Sequence, residues 1–207
     1  ESQNEQLEEF TSIVSHDLQS PLSVAAGHLE LAEDMSEAAH LEKASDAIER
    51  SQALIDDLLT LAREDPDVAE SDAVSLGDVA ENSWQLVETA RATLKIDASD
   101  VIEADRPRLK QLFENLYRNA VMHGGEDIVV RVAPTDGGFH VSDTGSGIPE
   151  GERAKIFNAG YSTSADGTGF GLRIVEQIAE AHGWEITVGE SEQDGARFEF
   201  TGVTSIE

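Results

Sequence analysis

The 207-residue chain has no cysteine and only 14 Lys and Arg residues. Without cysteine there are no disulfides, thiol nucleophiles or cysteine-ligated metals, which fits a cytosolic setting. The few bases stand against 42 Asp and Glu, for a formal net charge of −28. A surface so negative repels phosphate backbones, which argues against nucleic acid as a partner. Nowhere do about 18 apolar residues run together, so no segment reads as a membrane-spanning helix. No secretory leader, internal repeat or low-complexity tract is visible.

What is present is acid, evenly spread. Residues 1–70 carry 18 acids and 3 bases, and residues 71–207 carry 24 and 11. A single acidic tail would be an interaction device. Acid everywhere reads instead as adaptation of the whole surface to high salt, where the screening length falls to about 3 Å at 1 M and self-repulsion fades. A surface built to meet one cationic partner is the lesser reading. Hydrophobic residues, at 39%, suffice for a core, and the length suits one or two domains.

The first 63 residues read as two amphipathic helices. Leu7, Phe10, Val14, Leu18, Pro21, Ala25, Leu29 and Ala32 recur at spacings of three and four. Leu41, Ala44, Ile48, Ser51, Ile55, Leu58 and Ala62 do the same and form a packing seam. The short polar Asp34–Glu37 between them predicts an antiparallel hairpin. Two helices cannot bury both stripes, so a homodimer forming a four-helix bundle is expected. Pro66 ends the second helix, and a polar linker over 67–74 follows. From residue 75 the pattern is mixed. Helices are expected over 75–90, from the Asp105 cap through Ala120, and over 170–182. Strands are expected at 92–96, 101–102, 128–132, 139–142, 184–188 and 196–201. Strands and helices without regular alternation predict an α+β two-layer sandwich over 75–207.

Four stretches carry chemistry. His16 lies two residues from both Val14 and Leu18, so it points away from the apolar stripe, with Asp17 beside it. An imidazole oriented by a carboxylate suits nucleophilic attack; a solvated surface histidine is the plain alternative. Pro21 should bend the helix just beyond it. Asn115 and Asn119, four apart, share a helical face, and their amide oxygens could share a magnesium ion near phosphates. Asp143, ending a strand before Gly145 and Gly147, could accept from an exocyclic amine while backbone approaches a flat ring. Gly167, Gly169 and Gly171 open a helix, an arrangement that favours phosphate. Either glycine run alone could be a tight turn. His28, His40, His140 and His182 have no metal-ligand spacing and read as non-functional.

In this order the four stretches resemble the histidine kinases of two-component signalling, and the resemblance has a haloarchaeal cast from the acidity. Ser15–Leu22 resembles the phospho-acceptor box, and Asn115–Ala120 the asparagine box. Asp143–Gly147 and Gly167–Leu172 resemble the two glycine boxes, with Phe157 as the phenylalanine box between them. The resemblance implies a dimerisation and phospho-acceptor domain over 1–66, all-α, and an ATP-binding catalytic domain over 75–207 of the GHKL (Bergerat) ATPase type. It implies that His16 takes the γ-phosphoryl group of ATP with Asp17 as base. Asn119 would bind Mg2+ with Asn115 nearby, and Asp143 would hold the adenine amine in a pocket shaped by Gly145 and Gly147. Gly167, Gly169 and Gly171 would line the phosphates. The phosphoryl group would then pass to an aspartate of a response-regulator receiver domain.

The chain departs from the family pattern at several points. Gln19 replaces the usual arginine and Ser20 the usual threonine or asparagine, which puts dephosphorylation of the regulator in doubt. Met122 stands where a lysine is common, with Arg118, Arg153 and Lys155 as candidate substitutes. His123 falls where an aromatic or histidine often flanks the nucleotide. The segment between Gly147 and Gly167 is short, implying a compact lid over the nucleotide. Met122 leaves room for an alternative function, a catalytically inert ATP-binding dimerisation scaffold. A gyrase-like or chaperone-like ATPase would lack the histidine-bearing hairpin. The chain enters directly on a helix, so a sensor domain is expected upstream in a longer protein. This part is expected in the cytoplasm, with any membrane tether elsewhere in the parent.

Overall fold

The computed structural model describes residues 20–29, 31–32, 38–62, 71–87, 91–125, 127–162, 164 and 167–206. His16, Asp17 and Gln19, and the expected turn at 34–37, lie outside the described residues. Two compact units are formed: 1–63 with 158–170, and 64–157 with 171–207.

In the first unit, helix α1 covers 20–29 and 31–32 and helix α2 runs Ala38–Ala62. Pro21 and Ala25 are buried on α1; any bend before Pro21 falls outside the described residues. Among the described side chains of α2, the buried ones are Ala44, Ala47, Ser51, Leu54 and Asp57. The seam read from spacing is therefore displaced by part of a turn. Ala44 and Ser51 belong to it, but Leu41, Ile48 and Ile55 are 55%, 40% and 44% exposed. Ser51 returns its hydroxyl to the Ala47 carbonyl at 2.9 Å, so its burial leaves no hydroxyl unpaired. Asp57, a buried carboxylate, accepts from Thr168 Oγ1 at 2.7 Å within the same unit.

The second unit is the sandwich. Its elements are β1 (Asp72–Ser75), α3 (Leu76–Trp84), β2 (Thr93–Ile96), β3 (Val101–Ala104), α4 (Arg106–Gly124), β4 (Val129–Thr135), β5 (Gly138–Asp143), α5 (Gly171–Ala181), β6 (Glu185–Glu190), β7 (Ala196–Thr201) and β8 (Ser205–Ile206). Five strands form one sheet in the order β2-β4-β5-β7-β6, with β2 parallel to β4 and the rest antiparallel. A small second sheet pairs β3 with β1 and β8. The end of the expected linker is thus paired strand, because Asp72 to Ser75 align with Ala104 to Val101. The helix expected over 75–90 ends at Trp84.

Local chemistry sets the helix ends. Ser75 caps α3 by accepting from the Asp78 N–H. Asp105 caps α4 by accepting from the Arg108 N–H at 3.0 Å, with Pro107 in the first turn. Helix α4 packs against α3 and α5. The core between helices and large sheet is aromatic. Phe113 lies 5.9 Å from Phe139 between ring centroids, and Phe139 lies 4.8 Å from Phe200 and 5.8 Å from Trp184. Each such fully buried ring contributes about 1.5–3 kcal/mol. Tyr117 is buried with them, and its hydroxyl donates to the Ala80 carbonyl at 3.2 Å. Burial drives the Tyr117 phenol far above its ordinary value, which keeps that donor protonated.

Candidate functional site

Helix α4 carries both asparagines. Asn115 is buried, and its Nδ2 donates to the Gln111 carbonyl at 3.0 Å. Its Oδ1 faces Gly171, the first residue of α5, where an added Cβ would stand 3.1 Å away. The same Cβ would lie 3.9 Å from Nδ2 of Asn119. That Nδ2 is buried and has no hydrogen-bond partner among the described residues. A buried amide donor left unmade costs about 1–3 kcal/mol. This orphaned donor stands beside the bare backbone of Gly171.

The other end of α4 meets the first glycine run. A Cβ on Gly145 would approach the Gly124 Cα to 2.9 Å, so this loop rests directly on the helix terminus. Oδ1 of Asp143 accepts from the N–H of Gly145 at 2.8 Å and of Ala196 at 3.1 Å. Burial pushes the Asp143 carboxyl above its ordinary value, and those two N–H groups and His123 pull it back. Among the described residues both of the N–H groups that donate to Asp143 do so to Oδ1. Gly147 has φ +68, and a side chain there would also press on the Asp194 carbonyl oxygen at 2.7 Å.

Two residues of this cluster escaped the sequence. A Cβ on Gly195 would collide with the Asp143 carbonyl oxygen, and Ser191 Oγ donates to that same oxygen at 2.7 Å. In sequence, Asp194-Gly195 is simply a hairpin turn; only the β5–β7 pairing brings it onto Asp143. Of the candidate substitutes for the missing lysine, Arg153 donates from Nε to the Ile148 carbonyl, one residue past Gly147, at 3.0 Å. Arg118 bonds the Glu114 carbonyl on its own helix, Lys155 is exposed, and Met122 is 43% exposed. Gly167 and Gly169 belong to the first unit, while Gly171 begins α5 in the second. Phe157 is half-buried.

Three of the remaining histidines make hydrogen bonds, while Nδ1 of His140 is buried without a partner among the described residues. His182 Nε2 accepts from the Asp105 N–H at 3.0 Å, so its Nδ1 carries the proton and donates to the Ile178 carbonyl at 2.8 Å. It ties the end of α5 to the cap of α4. His28 and His40, twelve apart in sequence, meet across the hairpin. Among the described residues no cluster of three His, Cys, Asp or Glu exists. A divalent ion at the asparagines would therefore rely on amide oxygens, phosphate and water. That donor set suits Mg2+, which keeps its waters and is rarely caged by protein alone.

Residues 6–67 match the His Kinase A (phospho-acceptor) domain, and residues 104–203 match the histidine kinase-, DNA gyrase B- and HSP90-like ATPase. The chain is 33% identical over 201 residues to the sensor histidine kinase ZraS of Escherichia coli O157:H7, covering 89% of this chain and 43% of that protein. It is 32% identical over 206 residues to the sensor protein QseC of Escherichia coli K12, covering 90% and 45%. Full-length ShkA, solved in complex with AMPPNP, superposes with a TM-score of 0.65 at 26% identity, over 96% of this chain and 46% of that one. The chain spans less than half the length of these relatives. With a phospho-acceptor match followed by an ATPase match, and relatives aligned along nearly all of it, the chain belongs to the histidine kinases.

Proposed function

We propose that this chain is the transmitter region of a two-component sensor, binding ATP in the sandwich and phosphorylating His16. Residues 1–66 would be the dimerising phospho-acceptor domain, 67–74 the connection and 75–207 the catalytic domain. The observation that carries the reading is the pairing of an orphaned Asn119 amide on α4, beside Gly171, with a half-buried Asp143 at the end of β5, fixed by two backbone N–H groups. The first suits phosphate and the second an adenine amine.

In this reading Oδ2 of Asp143 accepts from the exocyclic amine, and Gly145 and Gly147 leave room for the ring. Asn119, with Asn115 behind it, would hold Mg2+, which when bound neutralises phosphate charge. Gly167, Gly169 and Gly171 would offer backbone N–H groups to the phosphates. Asp17 would take the proton from one ring nitrogen of His16 as the other nitrogen bonds to the γ-phosphorus and ADP leaves. The phosphoryl group would pass to an aspartate of a receiver domain. The exposed Leu41, Ile48 and Ile55 support a homodimer, since a second copy would bury them. A sensor domain upstream and a cytoplasmic position belong to the same proposal. Adaptation to high salt rests on composition alone, and the bacterial relatives lend no support to a haloarchaeal source.

The test is incubation with γ-labelled ATP and Mg2+ in molar KCl. Acid-labile, base-stable label that disappears in His16→Ala is the expected result. Met122 favours a second reading, the inert ATP-binding scaffold. Nucleotide binding without label would establish that scaffold and end the kinase reading.

A further inference from the structure

We infer that His28 and His40 form a binding site for a late first-row divalent metal ion, zinc above all, that clamps the two helices of the hairpin. The Nδ1 atoms of the two rings are 3.0 Å apart, one on α1 and the other in the first turn of α2. The ring centroids are 5.3 Å apart with 28° between planes. That separation exceeds the N–N distance by about twice the distance from an imidazole's centre to its nitrogen. The rings therefore meet head-on, nitrogen to nitrogen, and not face over face. Head-on approach aims both in-plane Nδ1 orbitals into one gap.

Without metal, one ring holds its proton on Nδ1 and donates it to the lone pair of the other. A metal ion takes the place of that proton. The donor ring shifts to its Nε2–H tautomer, and both Nδ1 lone pairs then point at the ion. No proton is gained or lost overall, and no redox step is involved. Zn2+ bonds imidazole nitrogen at about 2.0–2.1 Å, so in tetrahedral geometry the N–N gap opens by a few tenths of an ångström and each ring tilts to bring its lone pair onto an ion beside the N–N line. Both rings are half-exposed, so an ion and its waters have access. Among the described residues no third His, Cys, Asp or Glu completes the set. Imidazole ligands select zinc, copper and nickel over magnesium, which keeps this site distinct from the asparagines. The dipole at the start of α2 opposes a cation weakly. Against it stand 18 acids and 3 bases in the first 70 residues, a field that concentrates cations.

The experiment is calorimetric titration of the nucleotide-free protein with ZnCl2, with thermal unfolding followed by far-UV circular dichroism. One saturable zinc site per chain is expected, together with a zinc-dependent rise in the unfolding temperature by mass action. His28→Ala and His40→Ala should each weaken zinc at least about tenfold, the loss that even supporting residues of metal sites produce. His123→Ala should leave zinc affinity unchanged, and MgCl2 should give no rise. His28→Gln and His40→Gln, checked for retained helical signal, repeat the comparison if the alanine variants unfold. With Cu2+ as probe, the electron paramagnetic resonance spectrum should show two coordinated nitrogens. Absence of saturable binding at millimolar zinc, or equal affinity in the His28 and His40 variants, overturns the site.

Discussion

In the proposed site, Asp143 gives one carboxylate oxygen to the protein and the other to the nucleotide. Oδ1 is held by Gly145 and Ala196, so the substitution Asp143→Asn keeps one half and loses the other. With its oxygen kept on those N–H groups, the amide turns a second donor, Nδ2, toward an amine that also donates. We expect nucleotide affinity to fall about 10- to 100-fold, corresponding to about 1.5–3 kcal/mol for a hydrogen bond to a charged group. Equilibrium binding of a fluorescent ATP analogue measures it. Gly195→Ala makes the sharper test, because nothing in the sequence marks Gly195 as part of the site. Its Cβ would collide with the Asp143 carbonyl, so the β5–β7 pair must shift. A loss of about 1–3 kcal/mol in stability and a parallel loss of nucleotide binding are expected. His182 supplies a pH dependence. Burial lowers its titration below the ordinary 6.5, so the folded state favours the neutral ring. Stability is then full above the unfolded value and declines as pH falls from there toward the folded one. His182→Ala should cost about 1 kcal/mol at neutral pH and flatten that decline in urea melts between neutral and mildly acidic pH.

Among the elements, the ones legible in the sequence are those whose signals are local. Asp105 and Pro107 announce the start of α4, and the 3.6 period places Asn115 and Asn119 on one face. The small sheet was not legible. β1 and β8 are short, without alternation, and exist because β3 lies between them, a pairing distant in sequence. The hairpin shows a third case. Period alone gives the seam Leu41, Ala44, Ile48, Ser51, Ile55, Leu58 and Ala62, yet one chain buries Ala44, Ala47, Ser51 and Leu54 and leaves Leu41, Ile48 and Ile55 exposed. Spacing reports that a face is apolar; it does not say whether the same chain or a second copy covers it. If the dimer covers it, the double variant Ile48→Glu, Ile55→Glu should be monomeric by sedimentation. It should also lose autophosphorylation wherever the dimer is required.

For the whole molecule, the charge of −28 and the binding of an anionic nucleotide pull against each other. Salt relieves both self-repulsion and the repulsion of ATP, with screening reaching about 3 Å at 1 M. The unfolding temperature and the nucleotide affinity should both rise as KCl goes from dilute to molar. A protein equally stable and active in dilute buffer would remove the high-salt reading while leaving the kinase intact.

The aromatic core has an optical consequence. The chain has two tryptophans, Trp84 and Trp184, and both lie in the unit formed by 64–157 and 171–207. Trp84 meets Tyr117 edge-on at 5.1 Å, and Trp184 stacks on His182 at 4.3 Å. Their emission therefore follows the sandwich alone and is silent about the hairpin, whereas ellipticity at helical wavelengths weighs both. Melts recorded by the two signals will coincide only if the units unfold together. An indole stacked on an imidazole should also dim as that ring takes up a proton, so the protein carries its own lamp for the His182 titration.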